Sequence, residues 1–245
     1  MQTLVLKKQE LPYEINEEMK VLRTNVQFSG DDKRIILITS SFSGEGKSTI
    51  SLNLAKSFAE LGKKVLYIDT DMRKSQILTH FEHGRIEYGL SHYLSGQCTV
   101  SDITAKTDVP GLYVVASVQA PPNPSELLAR PRFKALLDSC RKIFDYIIVD
   151  CSPLGLVVDA AIVAPQCDGA LVILESGEVK YRMAQDMVSQ LEGSGCPILG
   201  AILNKVDRKN GSYYGKYYGK YGKYGKYGKY SGYYSGNGDS TEEEE

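Results

Sequence analysis

Nine consecutive residues, Ser41-Phe42-Ser43-Gly44-Glu45-Gly46-Lys47-Ser48-Thr49, have the types and spacing that bind phosphate. They follow an apolar run at 35–38 and precede an amphipathic stretch at 50–61. In such a strand–loop–helix, successive main-chain N–H groups turn inward onto phosphate oxygens, and the helix N-terminus adds partial positive charge. Gly44, Glu45, Gly46 and Thr49 would line that cradle. Lys47 would reach the β- and γ-phosphates, and the Ser48 hydroxyl would ligate Mg²⁺. The pattern usually begins with Gly; here Ser41 stands in that position, and a small residue fits the turn.

Carboxylates follow two other apolar runs. Asp150 comes after Ile147-Ile148-Val149, and as a hard oxygen ligand it suits Mg²⁺, which keeps much of its own water. Asp69 and Asp71 follow Val65-Leu66-Tyr67-Ile68 and would share one face if the backbone stayed extended. One of them could help to hold Mg²⁺ while the other takes a proton from an attacking hydroxyl or water. Arg73 would neutralise them or touch phosphate. Asn204-Lys205-Val206-Asp207, after a further apolar run, has the form of a guanine-reading motif, yet Asn204 could equally bond the amino group of adenine. ATP and GTP both stay open at this point.

From Gly211 onward the composition changes to Tyr-Gly-Lys repeats, and ten of the chain's 17 tyrosines lie there: Tyr213, Tyr214, Tyr217, Tyr218, Tyr221, Tyr224, Tyr227, Tyr230, Tyr233 and Tyr234. Glycine is costly to order and the segment has almost no aliphatic residue, so 211–245 reads as a flexible tail ending in Glu242 to Glu245. A Gly-rich coil of about 20 residues reaches roughly 25 Å, enough for a nucleotide site on the same sheet edge or on an adjacent subunit. Each phenolic oxygen could accept a γ-phosphoryl group.

The elements that must place these groups alternate in type. Helical spacing at 14–28 (Ile15, Met19, Leu22, Val26) precedes the first strand, and strands at 65–69, 112–116, 144–150, 169–175 and 197–203 alternate with helices at 48–61, 125–142, 157–164 and 181–191. This predicts an α/β fold, a mostly parallel sheet flanked by helices, with every candidate residue after the C-terminal end of a strand, where such sheets bind ligands. Residues 1–30 read as an N-terminal segment, 31–210 as the nucleotide-binding domain and 211–245 as the tail. The 245 residues are 42% hydrophobic with a net charge of −1, which allows a sizeable core and favours neither nucleic acid nor a membrane surface. No apolar run approaches the roughly 20 residues that span a bilayer, and 1–10 carry no signal-peptide core. Five dispersed cysteines without metal spacing read as reduced thiols, so the chain is expected in the cytoplasm.

Taken together, these motifs resemble those of the bacterial tyrosine kinases (BY-kinases) of the capsular and exopolysaccharide type, in their separate cytoplasmic form. Residues 41–48 resemble that family's Walker A motif. Val65 to Arg73, apolar residues then Asp-x-Asp-x-Arg, is similar to its Walker A′, and Ile147 to Pro153 to its Walker B. Pro122-Asn123-Pro124-Ser125-Glu126-Leu127-Leu128 and the tyrosine-rich end also match. The resemblance implies a non-specific protein-tyrosine kinase with a P-loop NTPase fold of the MinD/ParA kind. It would use ATP and Mg²⁺ to phosphorylate its own tyrosine cluster, one subunit's tail entering a neighbour's site. Lys47 and Ser48 would bind phosphate and Mg²⁺, Asp71 and Asp150 would organise the metal, and Asp69 would take the tyrosine proton.

The family also forms rings, an octamer by resemblance, through a Glu-x-x-Arg-x-x-Arg helix. Glu17, Lys20 and Arg23 match it, with lysine in the middle. A membrane-anchored modulator would recruit the kinase to the inner face of the membrane, other tyrosine-containing proteins would be substrates, and no nucleic acid would take part. Ser75 stands where relatives often carry Pro. A MinD/ParA-like ATPase that passes phosphate to water is the alternative. Such proteins usually carry an extra Lys early in the loop, where this chain has Phe42 and Ser43.

Overall fold

The structure is a computed structural model and describes residues 3–8 and 11–207. A nine-stranded sheet runs through it. The strands are β1 (Thr3–Leu6), β2 (Ile35–Ser40), β3 (Val65–Asp69), β4 (Phe81–His83), β5 (Thr104–Thr107), β6 (Leu112–Val115), β7 (Tyr146–Asp150), β8 (Gly169–Glu175) and β9 (Ile198–Asn204), in the order β4-β1-β5-β6-β3-β7-β2-β8-β9. From β6 to β9 every neighbouring pair is parallel. β5 lies antiparallel to β6, β1 parallel to β5, and β4 antiparallel to β1.

The central strands are apolar up to their C-terminal ends because helices cover both faces. Ile35, Leu37, Leu66, Ile68, Ile147 and Val149 join one core, while Ile36, Ile38, Val65, Tyr67 and Ile148 join the other. The alternation follows from side chains pointing to opposite faces at successive residues. The helices α1 (Tyr13–Phe28) and α2 (Lys47–Glu60) pack against each other, and α2 lies over β3 and β7. The other core takes Leu90 and Leu94 from α3 (Leu90–Leu94), Leu127 from α5 (Pro124–Leu128), Phe133 from α6 (Pro131–Arg141), Ala160 from α7 (Asp159–Val163) and Met187 from α8 (Tyr181–Gly193). A short α4 (Val100–Ile103) leads into β5.

Three local features differ from the sequence reading. The helix expected at 125–142 is two helices, because Pro131 occupies the first position of α6 and cannot continue the hydrogen-bond ladder of α5. β1, β4 and β5 were not anticipated; at three or four residues each they are too short to display a period. Through β1, residues of the N-terminal segment become part of the sheet. On α1, Lys20 donates to Glu17 at 2.7 Å, but Arg23 turns onto α2, where its Nη1 donates to the Ser57 carbonyl at 2.8 Å and lies 3.2 Å from Ser57 Oγ. Glu17, Lys20 and Arg23, spaced three apart on α1, therefore part company: two pair on the surface and the third braces the α1–α2 contact.

Among the described residues, no helix is long and apolar enough to cross a membrane. The ten tail tyrosines and the rest of 211–245 lie outside the described residues.

Candidate functional site

The loop from Ser41 to Gly46 joins β2 to α2. Gly46 has a φ of +87°, a conformation that favours glycine, and its Cα faces the Asn204 side-chain amide. Ser41 is fully buried and its hydroxyl lies 3.0 Å from Met187 Sδ on α8. The side chain that replaces glycine thus points into the core and leaves the concave side of the loop clear. Glu45 also faces inward: its carboxylate accepts the main-chain N–H of Phe42 at 2.7 Å and of Glu175 at 3.1 Å. Its main-chain N–H is what remains to face a phosphate. Asn204 Nδ2 donates to the Glu45 carbonyl at 2.7 Å, so the end of β9 rests against the loop. Ser48 is half-buried at the start of α2, and Thr49 beside it is exposed.

Lys47 reaches from the first residue of α2 across the mouth of the sheet to Asp150, its Nζ 2.8 Å from Oδ1 and 3.5 Å from the Ser48 hydroxyl. Asp150 ends β7, opposite Asp69 at the end of β3. Its second oxygen accepts the Tyr67 hydroxyl at 2.7 Å. Tyr67 is fully buried in the middle of β3, and no motif pointed to it because its ring satisfies the apolar pattern while its hydroxyl reaches the site. Asp71 lies past the strand in a turn: its N–H donates to Asp69 Oδ1 at 3.0 Å, and its own Oδ1 accepts from the Ser152 hydroxyl at 3.0 Å and the Lys74 N–H at 3.1 Å. The extended spacing anticipated between Asp69 and Asp71 is replaced by this turn, which still keeps both carboxylates at one strand end. The Ser75 hydroxyl donates to Asp69 Oδ2 at 2.5 Å.

Three carboxylates, Asp69, Asp71 and Asp150, are thus at most 9% exposed beside one buried ammonium, that of Lys47. Burial works against the Lys47 charge, but Asp150, with Asp71 and Asp69 behind it, more than offsets this and holds its pKa above the ordinary lysine value. The Asp69 pKa also rises, which for a carboxyl disfavours the charged form. Burial first, and then the charge of Asp150, push its pKa up to about 7, against the bond from Ser75. Burial and Asp150 likewise raise the Tyr67 hydroxyl well above its usual range, so it serves as a donor.

The surplus of buried negative charge and the hydroxyl of Ser48 suit a small hard cation. Among the described residues no cluster of three or more His, Cys, Asp or Glu side chains would cage one, so such an ion would complete its shell with water and phosphate oxygens, as Mg²⁺ does. Asp71, Asp150 and Ser48 are the residues that could hold it.

With this geometry in view, comparisons decide the lineage. The family described as an AAA domain matches residues 33–191. The tyrosine-protein kinase CpsD of Streptococcus agalactiae is 45% identical over 203 residues, 82% of this chain and 89% of that protein. The chain belongs to the bacterial tyrosine-protein kinases. The kinase domain of the Escherichia coli tyrosine kinase ETK superposes with a TM-score of 0.74 at 33% identity, over 79% of this chain and 76% of that one. The septum site-determining protein MinD of Pyrococcus horikoshii, complexed with Mg-ADP, matches at a TM-score of 0.60 and 25% identity, over 71% of each chain. The kinase is accordingly an enzyme on a P-loop NTPase scaffold, with its parallel sheet and flanking helices as expected.

The Tyr67–Asp150 bond gives a direct expectation for this kinase. Tyr67→Phe removes one hydroxyl without emptying the core, and leaves one oxygen of a buried carboxylate unpaired. Loss of a hydrogen bond to a charged group costs about 1.5–3 kcal/mol. The urea midpoint should fall accordingly, and an unchanged midpoint would show that the bond contributes nothing to stability.

Proposed function

We propose that the kinase transfers the γ-phosphoryl group of ATP, with Mg²⁺, to the tyrosines of its own C-terminal cluster, between subunits, and thereby regulates capsular or exopolysaccharide synthesis and export. The observation that carries this reading is the gathering of Lys47, Asp69, Asp71 and Asp150 at the C-terminal ends of three adjacent strands, directly beside the phosphate loop.

Each residue has a defined task. Lys47 exchanges its bond to Asp150 for one to the phosphates when nucleotide arrives. Gly44, Glu45, Gly46 and Thr49 contribute loop contacts, while Asn204 stands beside the loop for the base. Asp150, held by Tyr67 at one oxygen, would offer the oxygen that now faces Lys47 to Mg²⁺ together with Asp71 and Ser48. The ion would supply neutralisation of charge on the transferred group. Asp69, in its ionised form, takes the proton of the incoming phenol. Arg73 at the rim helps to hold the phosphate.

The acceptors are the tyrosines from Tyr213 to Tyr234, which lie outside the described residues. Full modification would add about −15 to −20 charges. That would make the tails repel one another and loosen the ring assembled through the helix bearing Glu17, Lys20 and Arg23. In domain terms, 1–30 carries that helix, 31–210 the kinase core and 211–245 the substrate tail. A membrane-anchored modulator recruits the kinase to the inner face of the membrane and activates it, and other tyrosine-containing proteins are further substrates.

The test is intact-mass spectrometry after incubation with ATP and Mg²⁺, with an activating modulator peptide where needed. Successive gains of phosphate on the full chain are expected, and light scattering should show the assembly shifting toward monomer. If the chain hydrolyses ATP under activating conditions and gains no mass, it is a phosphohydrolase of the MinD kind instead.

A further inference from the structure

Asp159 is fully buried at the first turn of α7, and no motif or mechanism above uses it. Its charge has several partners. Arg73 approaches with Nε at 3.0 Å from Oδ2 and Nη2 at 3.3 Å from Oδ1. The Ser125 hydroxyl, from the Asn-Pro-Ser-Glu-Leu-Leu segment, donates to Oδ1 at 2.5 Å and lies 2.8 Å from Arg73 Nη2. The Ser152 hydroxyl lies 3.3 Å from Oδ2 and 3.0 Å from Asp71 Oδ1.

The Ser152 hydroxyl has a single hydrogen, and two carboxylates compete for it. Arg73 and Ser125 satisfy Asp159, so the hydrogen goes to Asp71, the nearer acceptor. One buried carboxylate therefore sets the position of two members of the Asp-x-Asp-x-Arg element. It holds Arg73 by direct contact, and because Arg73 and Ser125 satisfy it, it leaves the Ser152 hydrogen to Asp71. It also gives Ser125, in a segment otherwise without a task, a place in the same network.

We propose that Asp159 is a positioning residue for the magnesium site, fixing Asp71 through the shared hydroxyl of Ser152 and Arg73 through a two-nitrogen contact closed by Ser125. This rests on the reading of Asp71 as a magnesium-bearing carboxylate.

The experiment is a titration of a fluorescent ADP analogue against the full chain, with and without Mg²⁺, so that the readout is binding rather than turnover. Asp159→Asn keeps the side-chain shape, and Ser152→Ala changes no charge. Each should raise the Mg²⁺ concentration needed for half-maximal tightening of ADP binding by about tenfold, while metal-free ADP binding stays within about twofold. The two changes should not add in the double variant, because both act through the same oxygen of Asp71. Ser125→Ala should give a smaller shift in the same direction. An Mg²⁺ requirement within twofold of wild type in Ser152→Ala would overturn the proposal. So would a parallel loss of metal-free ADP binding and melting temperature in Asp159→Asn, which marks general collapse; should that variant not fold, Ser152→Ala and Ser125→Ala decide. Wild type that binds ADP equally well with and without Mg²⁺ would instead sink the reading of Asp71 as a metal ligand.

Discussion

Lys47→Met should abolish phosphate gain on the chain and, separately, destabilise the nucleotide-free protein. The first effect follows from the proposed role of Lys47 at the phosphates. The second follows from burial. Lys47 and Asp150 have side chains only 8% and 1% exposed and meet at 2.8 Å. Removing one partner of a buried pair strands the other charge, at a cost of about 3–5 kcal/mol. Tyr67 holds the other oxygen and absorbs part of this, so the lower end is expected. The two effects can be separated. Lys47→Met/Asp150→Asn removes both charges and should recover most of the lost stability in a urea titration, while phosphorylation stays absent by intact mass. If the single variant matched wild-type stability, the ion pair would have no weight in the nucleotide-free fold. If it still gained phosphate, the assigned role of Lys47 would be wrong.

Asp69→Asn should have the opposite effect on stability: a more stable protein, again with little activity. Folding raises the Asp69 pKa from its unfolded value near 4 to about 7. The folded state thus holds a proton that the unfolded state releases between those values, and stability falls as pH rises through that window. Above pH 7 the penalty is fully present, and three pKa units correspond to an upper bound of about 4 kcal/mol. Asparagine stays neutral and still accepts the Asp71 N–H. In the absence of Mg²⁺ and nucleotide, its melting temperature at pH 8 should exceed wild type by roughly 5–10 °C. At pH 4 the two should nearly coincide. With Asp69 as the proposed acceptor of the phenol proton, its loss should slow tail phosphorylation by about 10²–10⁴-fold. A gain in melting temperature that is equal at pH 4 and pH 8 would rule out the buried charge as its cause.

Both variants expose a feature of the site: it holds more negative charge than its own cation balances. The strain is electrostatic and sits where a divalent ion and a polyphosphate would relieve it. Binding of both should therefore raise stability most at high pH, where Asp69 is charged.

Much of this was legible in the sequence for a simple reason. In a parallel sheet covered on both faces, strands are unbroken apolar runs, and the polar residue that ends each run stands at the ligand edge. Ser41 to Thr49, Asp69, Asp71 and Asp150 are all of this kind, and so is Asn204. Periodicity likewise placed α1, α2 and α8 within one or two residues.

Tertiary structure alone decided what those residues touch. Tyr67 counts as apolar in any pattern, and only the register of β3 against β7 brings its hydroxyl to Asp150. Asp159 sits in a helix next to alanines, and only the packing of α7 sets it against Ser152, Ser125 and Arg73. Arg23 shares a helical face with Glu17 and Lys20, yet the neighbouring α2 offers it a carbonyl that the other two cannot reach. Ser41 is tolerated in a glycine position because Met187, far along the chain, makes room for its hydroxyl. Runs and spacings are set by neighbours along the chain and can be read there. Hydrogen-bond partners are set by which elements pack together, and a buried polar group takes its partner wherever the fold brings one.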